Sequence, residues 1–339
     1  MPARCVEAGD APVGGCALVS AVKCPTSLRC EMRRRLFAAA ALGGGLLVAA
    51  AGYDYWPDGT PRSSSWPDAI PRNPLNRRPQ APWSSRKGPN SILLQVDWPD
   101  AFPLTAEHLS VIDKSDDAIF YSAPRYVMHI DAEASAALGR YYRTHVHKGS
   151  RVLDIASSWT SHFQEGSGKN KTDGHYSYVS AVGMNHAELS ANPALHDFHV
   201  IDLNKSPAAQ ELTSLLAPYA DASFDAVICS VSVDYLTQPL EVFREIERVL
   251  VPGGKAIMTW SNRMFPTKAI RAWREASEPE RLLICGFYFH FAGGFDAPKG
   301  EDITAWEFGD MVQTVPRPAH LDPLYAVSAH KALQDKIEL

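Results

Sequence analysis

A mostly parallel β-sheet with helices on both faces is the α/β fold class predicted for residues 101–335 of this 339-residue chain. Three observations predict it. Short apolar runs near 151–155, 178–184, 198–201, 224–230 and 255–260 are separated by helical patterns. The run Phe224–Ser230 is apolar almost throughout, as a strand covered on both faces should be. Polar residues suited to ligand contact, Ser157, Asn185, Asp202 and Ser230, stand at or just beyond the ends of these runs. Right-handed crossovers gather such positions on one edge of an open α/β sheet, where ligands bind.

The elements follow in order. Ile92–Val96 reads as a short strand of unassigned role. Asp131 is placed to cap a helix from Ala132 to about Thr144, with Ala134, Leu138 and Tyr141 on one side, and Gly149 stops it. Arg151–Ile155 is the first strand of the sheet and Tyr178–Met184 the second, followed by a helix near His186–Ala191. Phe198–Ile201 is the third strand, ending at Asp202, and Phe224–Ser230 the fourth. Thr237 and Pro239 open an amphipathic helix through Leu250. Leu240, Phe243, Ile246 and Leu250 form its apolar stripe, while Glu241, Arg244, Glu245 and Arg248 are expected to face solvent. Pro252-Gly253-Gly254 ends that helix and Lys255–Trp260 is the fifth strand. Helical segments are expected from Thr267 to about Glu275 and again from Pro279, with a last strand at Leu324–His330.

The front of the chain has a different character. Arg33-Arg34-Arg35 precedes an uncharged Ala-, Gly- and Leu-rich run from Leu36 to Ala51, closed by three alanines. The run is short for a membrane span, which takes about 20 helical residues. Basic flank, apolar core and small-residue exit read as a targeting signal, and the adjacent arginines resemble a twin-arginine signal. Together with the stretch ahead of them they look like a bipartite leader over residues 1–52, as in thylakoid-lumen proteins of plants and algae. The expected localisation is therefore chloroplast, in the thylakoid lumen, without a stable membrane span in the mature form. Glu7, Asp10 and Glu31 weigh against the first half of such a leader. A membrane anchor through residues 36–51, or neither device, are the alternative readings. Residues 53–100 form a Pro-rich extended arm, with Pro57, Pro61, Pro67, Pro71, Pro74, Pro79 and Pro82 removing donors and restricting their predecessors.

Composition narrows the function. A formal charge of -5 with a pI near 6.2 argues against a nucleic-acid binder, which usually carries a basic stripe. Cys5, Cys16, Cys24 and Cys30 lie in the front, leaving Cys229 and Cys285 in the folded body; no CxxC pair or zinc spacing occurs, so no metal is expected. No GxGxxG turn follows the first strand, which argues against a dinucleotide oxidoreductase.

The stretch FDAVICSVSVDYLTQPLEVFREIERVLVPGGKAIMTW, Phe224–Trp260, resembles the class I S-adenosylmethionine-dependent methyltransferases, especially the type 11 methyltransferase domain. The "FD-V" strand, the helix ending R-V-L-x-P-G-G and the strand directly after it carry the resemblance, which extends faintly from about Phe120 to Lys331. "LDxxSSWxSH", "GMN" and "SVDYLTQP" also resemble a divergent branch found in plants, algae and bacteria. The resemblance implies a Rossmann-like class I fold with a central, mostly parallel seven-stranded sheet, S-adenosyl-L-methionine as cofactor and a small-molecule acceptor. It implies cofactor contacts from Asp154, Ser157 and Ser158 in the first-strand turn, Asn185 after the second strand, Asp202 and Leu203 after the third, and Ser230 and Val231 after the fourth. Two departures stand out. The turn Asp154-Ile155-Ala156-Ser157-Ser158-Trp159 keeps the acid and lacks the family's glycines, so Trp159 must point elsewhere. Asn185 replaces the usual acid, retaining contact with less charge assistance.

Methyl transfer needs alignment more than covalent help, and a base only where the acceptor must lose a proton. The acceptor-side candidates are Asp234 and Tyr235 beyond the fourth strand, Asn262 and Arg263 beyond the fifth, and Tyr121, Arg125 and His129 in a lid before the first helix. Arg125 is suited to a carboxylate or phosphate and His129 to a base; Asp234 as a helix cap and Arg125 paired with a surface acid are the plain alternatives. Gln164–Gly174 reads as a solvated loop, and Phe287–Phe291 as either an acceptor-pocket wall or packing against the sheet. A catalytically silent binding or assembly protein is the competing function, motivated by the missing glycines and Asn185.

Overall fold

The computed structural model describes Leu93 and residues 96–163, 174–303 and 322–333, all within the compact unit Asp54–Leu339. The leader, most of the Pro-rich arm, the rest of the Ile92–Val96 strand and nearly all of the 164–174 loop lie outside these residues. The elements are α1 (Asp117–Phe120), α2 (Ala132–His145), β1 (Arg151–Ser157), β2 (Tyr178–Gly183), α3 (His186–Ala191), β3 (Asp197–Val200), β4 (Phe224–Ser230), α4 (Pro239–Val249), β5 (Leu250–Trp260), α5 (Arg271–Glu275), α6 (Glu278–Ala292), β6 (Lys299–Asp302) and β7 (Tyr325–His330). The strands form one seven-stranded sheet in the order β3-β2-β1-β4-β5-β7-β6. β1 to β5 pair in parallel, and β7 runs antiparallel to both its neighbours. This is a Rossmann-like class I methyltransferase fold.

The two-residue period of the strands feeds two layers. Val152, Val179, Ala226, Ile228, Ile257 and Ala326 meet Ala134, Ala137, Leu138, Tyr141 and Tyr142 of α2 on one face. Their chain neighbours Leu153, Val227, Cys229, Ala256, Met258 and Val327 meet α4 and α6 on the other. α2 begins where the sequence places it, with the Asp131 carboxylate accepting the Ala134 N–H at 2.7 Å. α6 starts in a capping box between Ser277 and Glu280 and is buried from Pro279 through Phe289. Phe287, Tyr288 and Phe289 therefore belong to the core. The described end of the arm packs on the same helix: Trp98 stacks on His290 at 4.7 Å, over Gly286, where an added Cβ would lie 2.8 Å from the indole.

Several expectations change. β6, a polar four-residue edge strand, was not visible in the sequence pattern. β5 begins at Leu250, directly after α4, so Pro252-Gly253-Gly254 lies inside the strand as a bulge; Phe224 pairs with Leu250, and Ala226 already with Lys255. The buried stripe of α4 is Val242, Phe243, Ile246 and Val249, with Leu240 only half-buried. Glu245 and Arg248 do not simply face solvent. Glu245 accepts from the Ser214 hydroxyl and the Leu216 N–H, while Arg248 donates to the Leu216 and Tyr219 carbonyls, fastening the 214–221 loop to the helix. Among the described residues no helix is long and apolar enough to cross a membrane.

Candidate functional site

The site is built where β1 to β5 end. At the end of β1, Asp154 is 1% exposed. Its Oδ2 accepts from the Ser157 hydroxyl at 2.6 Å, while Oδ1 is buried without a partner. Burial lifts this carboxyl to about 6, against the lowering effect of the Ser157 and Ser161 hydroxyls. The next turn takes the backbone shape a glycine would favour: Ala156 has φ 51°. An alanine thus stands in the left-handed region, at a cost of roughly 1–2 kcal/mol. Val231, after β4, is likewise left-handed at φ 47°, an outlier for a β-branched residue. Both residues line the cavity beneath the lid.

Asn185, after β2, is committed twice. Its Oδ1 caps α3 through the Glu188 N–H at 3.1 Å, and its Nδ2 donates to the Tyr121 and Ser122 carbonyls at 2.8 and 3.2 Å. Glu188, one turn on, is 8% exposed and accepts from the Arg125 N–H and the Ser158 hydroxyl, each at 2.6 Å. Asp202, after β3, is bracketed by Gln210, whose side chain bonds both its N–H and its carbonyl. The Asp202 carboxylate accepts from the Asn204 N–H at 2.8 Å, and burial raises its pKa. Ser230, after β4, meets the Tyr142 hydroxyl at 2.8 Å, which also reaches Thr259 at 3.0 Å.

The segment before α2 lies over these strand ends as a lid. Asn185 and Glu188 hold its first part, and the Trp159 indole N–H donates to the Val127 carbonyl at 3.0 Å. Trp159 therefore points to the lid and leaves the strand ends open. Beneath the lid is a cavity of about 290 Å³, near the low end of the roughly 300–1,000 Å³ usual for ligand sites. It is lined by Asp154, Ser157, Ser158, Asn185, Asp202, Leu203, Ser230 and Val231, and on its other side by Tyr235, Arg125 and His129. Tyr121 and Arg263 join them, and Asn262 does not. The Tyr235 hydroxyl accepts the Phe265 N–H at 2.8 Å, fixing Phe265 in the wall. Burial lowers the His129 pKa, so its ring favours the neutral form.

Asp234 is the exception among the sequence candidates. It does not line the cavity; it is 2% exposed with Oδ2 unpartnered, and burial raises its carboxyl to about 8. The short 3-10 turn Val233–Tyr235 directs Tyr235 to the cavity and Asp234 into the packing beside the sheet. The helix-cap alternative is not realised either, since α4 is preceded by Gln238. Glu188 and His162 are among the cavity residues that were missed. Glu188 was hidden inside a helix pattern, although its place three residues after a capping Asn was a signal. His162, 4% exposed, lines the cavity with Nδ1 at 2.9 Å from the Ser135 hydroxyl, and burial lowers it to about 4. The sequence grouped it with the neighbouring loop. Among the described residues no cluster suited to a metal ion occurs.

Strand order and the cavity's place at the strand ends are those of the class I S-adenosylmethionine-dependent methyltransferase fold. A family model described as a methyltransferase domain, of the type 11 kind, matches residues 177–258. Among solved structures, an S-adenosylmethionine-dependent methyltransferase from Mesorhizobium loti is 16% identical, covering 59% of this chain and 100% of its own, with a TM-score of 0.38. Another from Aquifex aeolicus is 13% identical, covering 64% of this chain and 97% of its own, with a TM-score of 0.37. The cyclase SpnF is 16% identical, covering 63% of this chain and 90% of its own, with a TM-score of 0.37. Among curated proteins, none matches the chain significantly.

Proposed function

We propose that this protein is an S-adenosylmethionine-dependent methyltransferase acting on a small-molecule acceptor. The observation that carries the reading is Asp154 Oδ1, a buried carboxylate oxygen without a partner in the wall of the cavity. Such an atom calls for a donor or a positive charge, and the ammonium of a methionine moiety supplies both. The residues present fit the cofactor on that ground. Asp154, Ser157, Ser158, Asp202 and Leu203 would hold it, with Ser230 and Val231 flanking. When bound, it supplies a methyl group on a sulfonium, a donor reactive enough that alignment is the main requirement. The chain's own residues then exclude water through the lid and wall the acceptor with Tyr235 and Phe265. His129, with its lowered pKa, is suited to take a proton where the acceptor has one to lose.

Calorimetry with S-adenosylmethionine and S-adenosylhomocysteine tests this. Saturable binding of either is expected, and no binding at millimolar concentration defeats the reading. One observation favours a second reading, a catalytically silent binding protein: the Asn185 side chain is already occupied by α3 and the lid. Incubation with methyl-labelled cofactor and a metabolite extract separates the two, since only the enzyme moves label into an acceptor. Likeness to a plant, algal and bacterial branch and passage to the thylakoid lumen belong to the same proposal; fractionation of tagged protein checks the location.

A further inference from the structure

We infer that the acceptor carries an anionic group, a carboxylate or a phosphate, received by the guanidinium of Arg125. This rests on the methyltransferase reading of the same cavity and names the class of its substrate.

Arg125 is half-buried and held from several sides. Its backbone N–H is fixed on Glu188, and its guanidinium carbon lies 4.4 Å from the centroid of the Phe120 ring and 5.7 Å from that of Phe265. One side-chain N–H, on Nη2, donates to the Phe120 carbonyl at 2.8 Å. Among the described residues that is the one hydrogen bond its side chain makes, which leaves most of its five in-plane N–H groups to meet a planar or tetrahedral oxyanion in a two-pronged way.

Several arginines of the described chain are paired with acids: Arg151 with Asp225, Arg248 with Glu245 and Asp221, Arg281 with Glu278, and Arg263, which also lines the cavity, with Asp322. Among the described residues Arg125 has no such acid, although Asp117, Glu188 and Asp202 line the same cavity. Asp117 is taken by Lys268 at 2.8 Å, and Glu188 by the Arg125 backbone and Ser158. Withdrawing a cation partly from water without a counter-charge is unfavourable. An anionic ligand supplies that charge. Carboxylates stand at the ends of β1 and β3, where a cationic cofactor is read, while Arg125 lies against Phe265 beyond β5.

The test uses the full chain saturated with S-adenosylhomocysteine. Benzoate and phenyl phosphate serve as anionic probes, and benzyl alcohol as the neutral one, with affinities measured by ligand-observed NMR. The expected result is that one or both anions bind, that benzyl alcohol binds more weakly, and that Arg125→Gln weakens the bound anion about tenfold or more while leaving benzyl alcohol unchanged. The stronger anion distinguishes carboxylate from phosphate. A rise in melting temperature with S-adenosylhomocysteine shows that the variant is folded. Equal binding of charged and neutral probes, no anion binding, or unchanged anion affinity in Arg125→Gln overturns the inference. Failure of S-adenosylhomocysteine to bind overturns the underlying reading instead, and the probes, run without it, still decide the Arg125 assignment.

Discussion

Gly183 lines the cavity and has no room for a Cβ, so replacing it with alanine tests the whole arrangement. It closes β2 opposite Ser157, at the irregular register where β1 turns into the ligand-facing loop. An ideal Cβ there would lie 2.2 Å from the Ser157 carbonyl oxygen and 3.1 Å from a Leu189 methyl. The first contact is with backbone, so relief requires moving the Ser157-Ser158 turn by about an ångström rather than rotating a side chain. Overpacking of this kind costs about 1–3 kcal/mol and occasionally more. The turn cannot yield cheaply, because Ser157 is tied to Asp154 and Ser158 to Glu188, so about 3 kcal/mol is expected. Urea denaturation gives the stability, and calorimetry with S-adenosylhomocysteine gives the site's response, which should weaken together with it. Gly149→Ala is the control: nothing lies within 4 Å of its added Cβ, and only the positive φ of 86° opposes it, costing about 1 kcal/mol. If Gly183→Ala proves no worse than Gly149→Ala, the close approach of β1 and β2 does not shape the cavity.

Three further outcomes follow from the buried carboxyls and the lid. The Asp154 carboxyl, raised to about 6 from an ordinary 3.8, contributes stability present in full below about 4 and lost as pH rises through 6. Asp154→Asn should therefore match the wild type near pH 4 and exceed it near neutrality by on the order of 3 kcal/mol, while weakening S-adenosylhomocysteine; parallel pH-stability curves would refute this. Asp234, raised to about 8, acts in the same direction over a window reaching higher pH. Asp234→Asn should hold its stability where the wild type loses it, with nucleoside affinity unchanged, and a large loss of affinity would return Asp234 to the site. Asn185→Asp keeps the α3 cap and replaces both donations to the lid carbonyls with repulsion. Hydrogen exchange at Arg125 should then accelerate about tenfold or more, and unchanged protection would show that the lid is held elsewhere.

The fold was legible where local pattern and global position agree. Phe224–Ser230 is apolar because both of its faces are covered, and α4 shows a helical stripe because only one of its sides is. β6 was illegible because Lys299-Gly300-Glu301-Asp302 is a short polar edge that pairs only with β7. The Pro252-Gly253-Gly254 bulge read as a helix stop, since its pairing through Lys331 is set by chain nearly eighty residues away. Strand-end positions led to the cavity because topology gathers them there. Side-chain direction was another matter: nothing in Val233-Asp234-Tyr235 says which acidic or phenolic group meets the ligand. Nor could the sequence say that the Trp159 indole would hold the lid.

The position of β7 governs the order in which the sheet can be completed. Later in the chain than the strands beside it, β7 inserts between β5 and β6, and among the described residues β6 has no other partner. During synthesis from the amino terminus, the long β5 must therefore present an open row of peptide groups until residues 325–330 emerge from the ribosome. Such an edge recruits stray strands, so truncations before Tyr325 should yield aggregates, with β1 to β5 already made and nothing to close them.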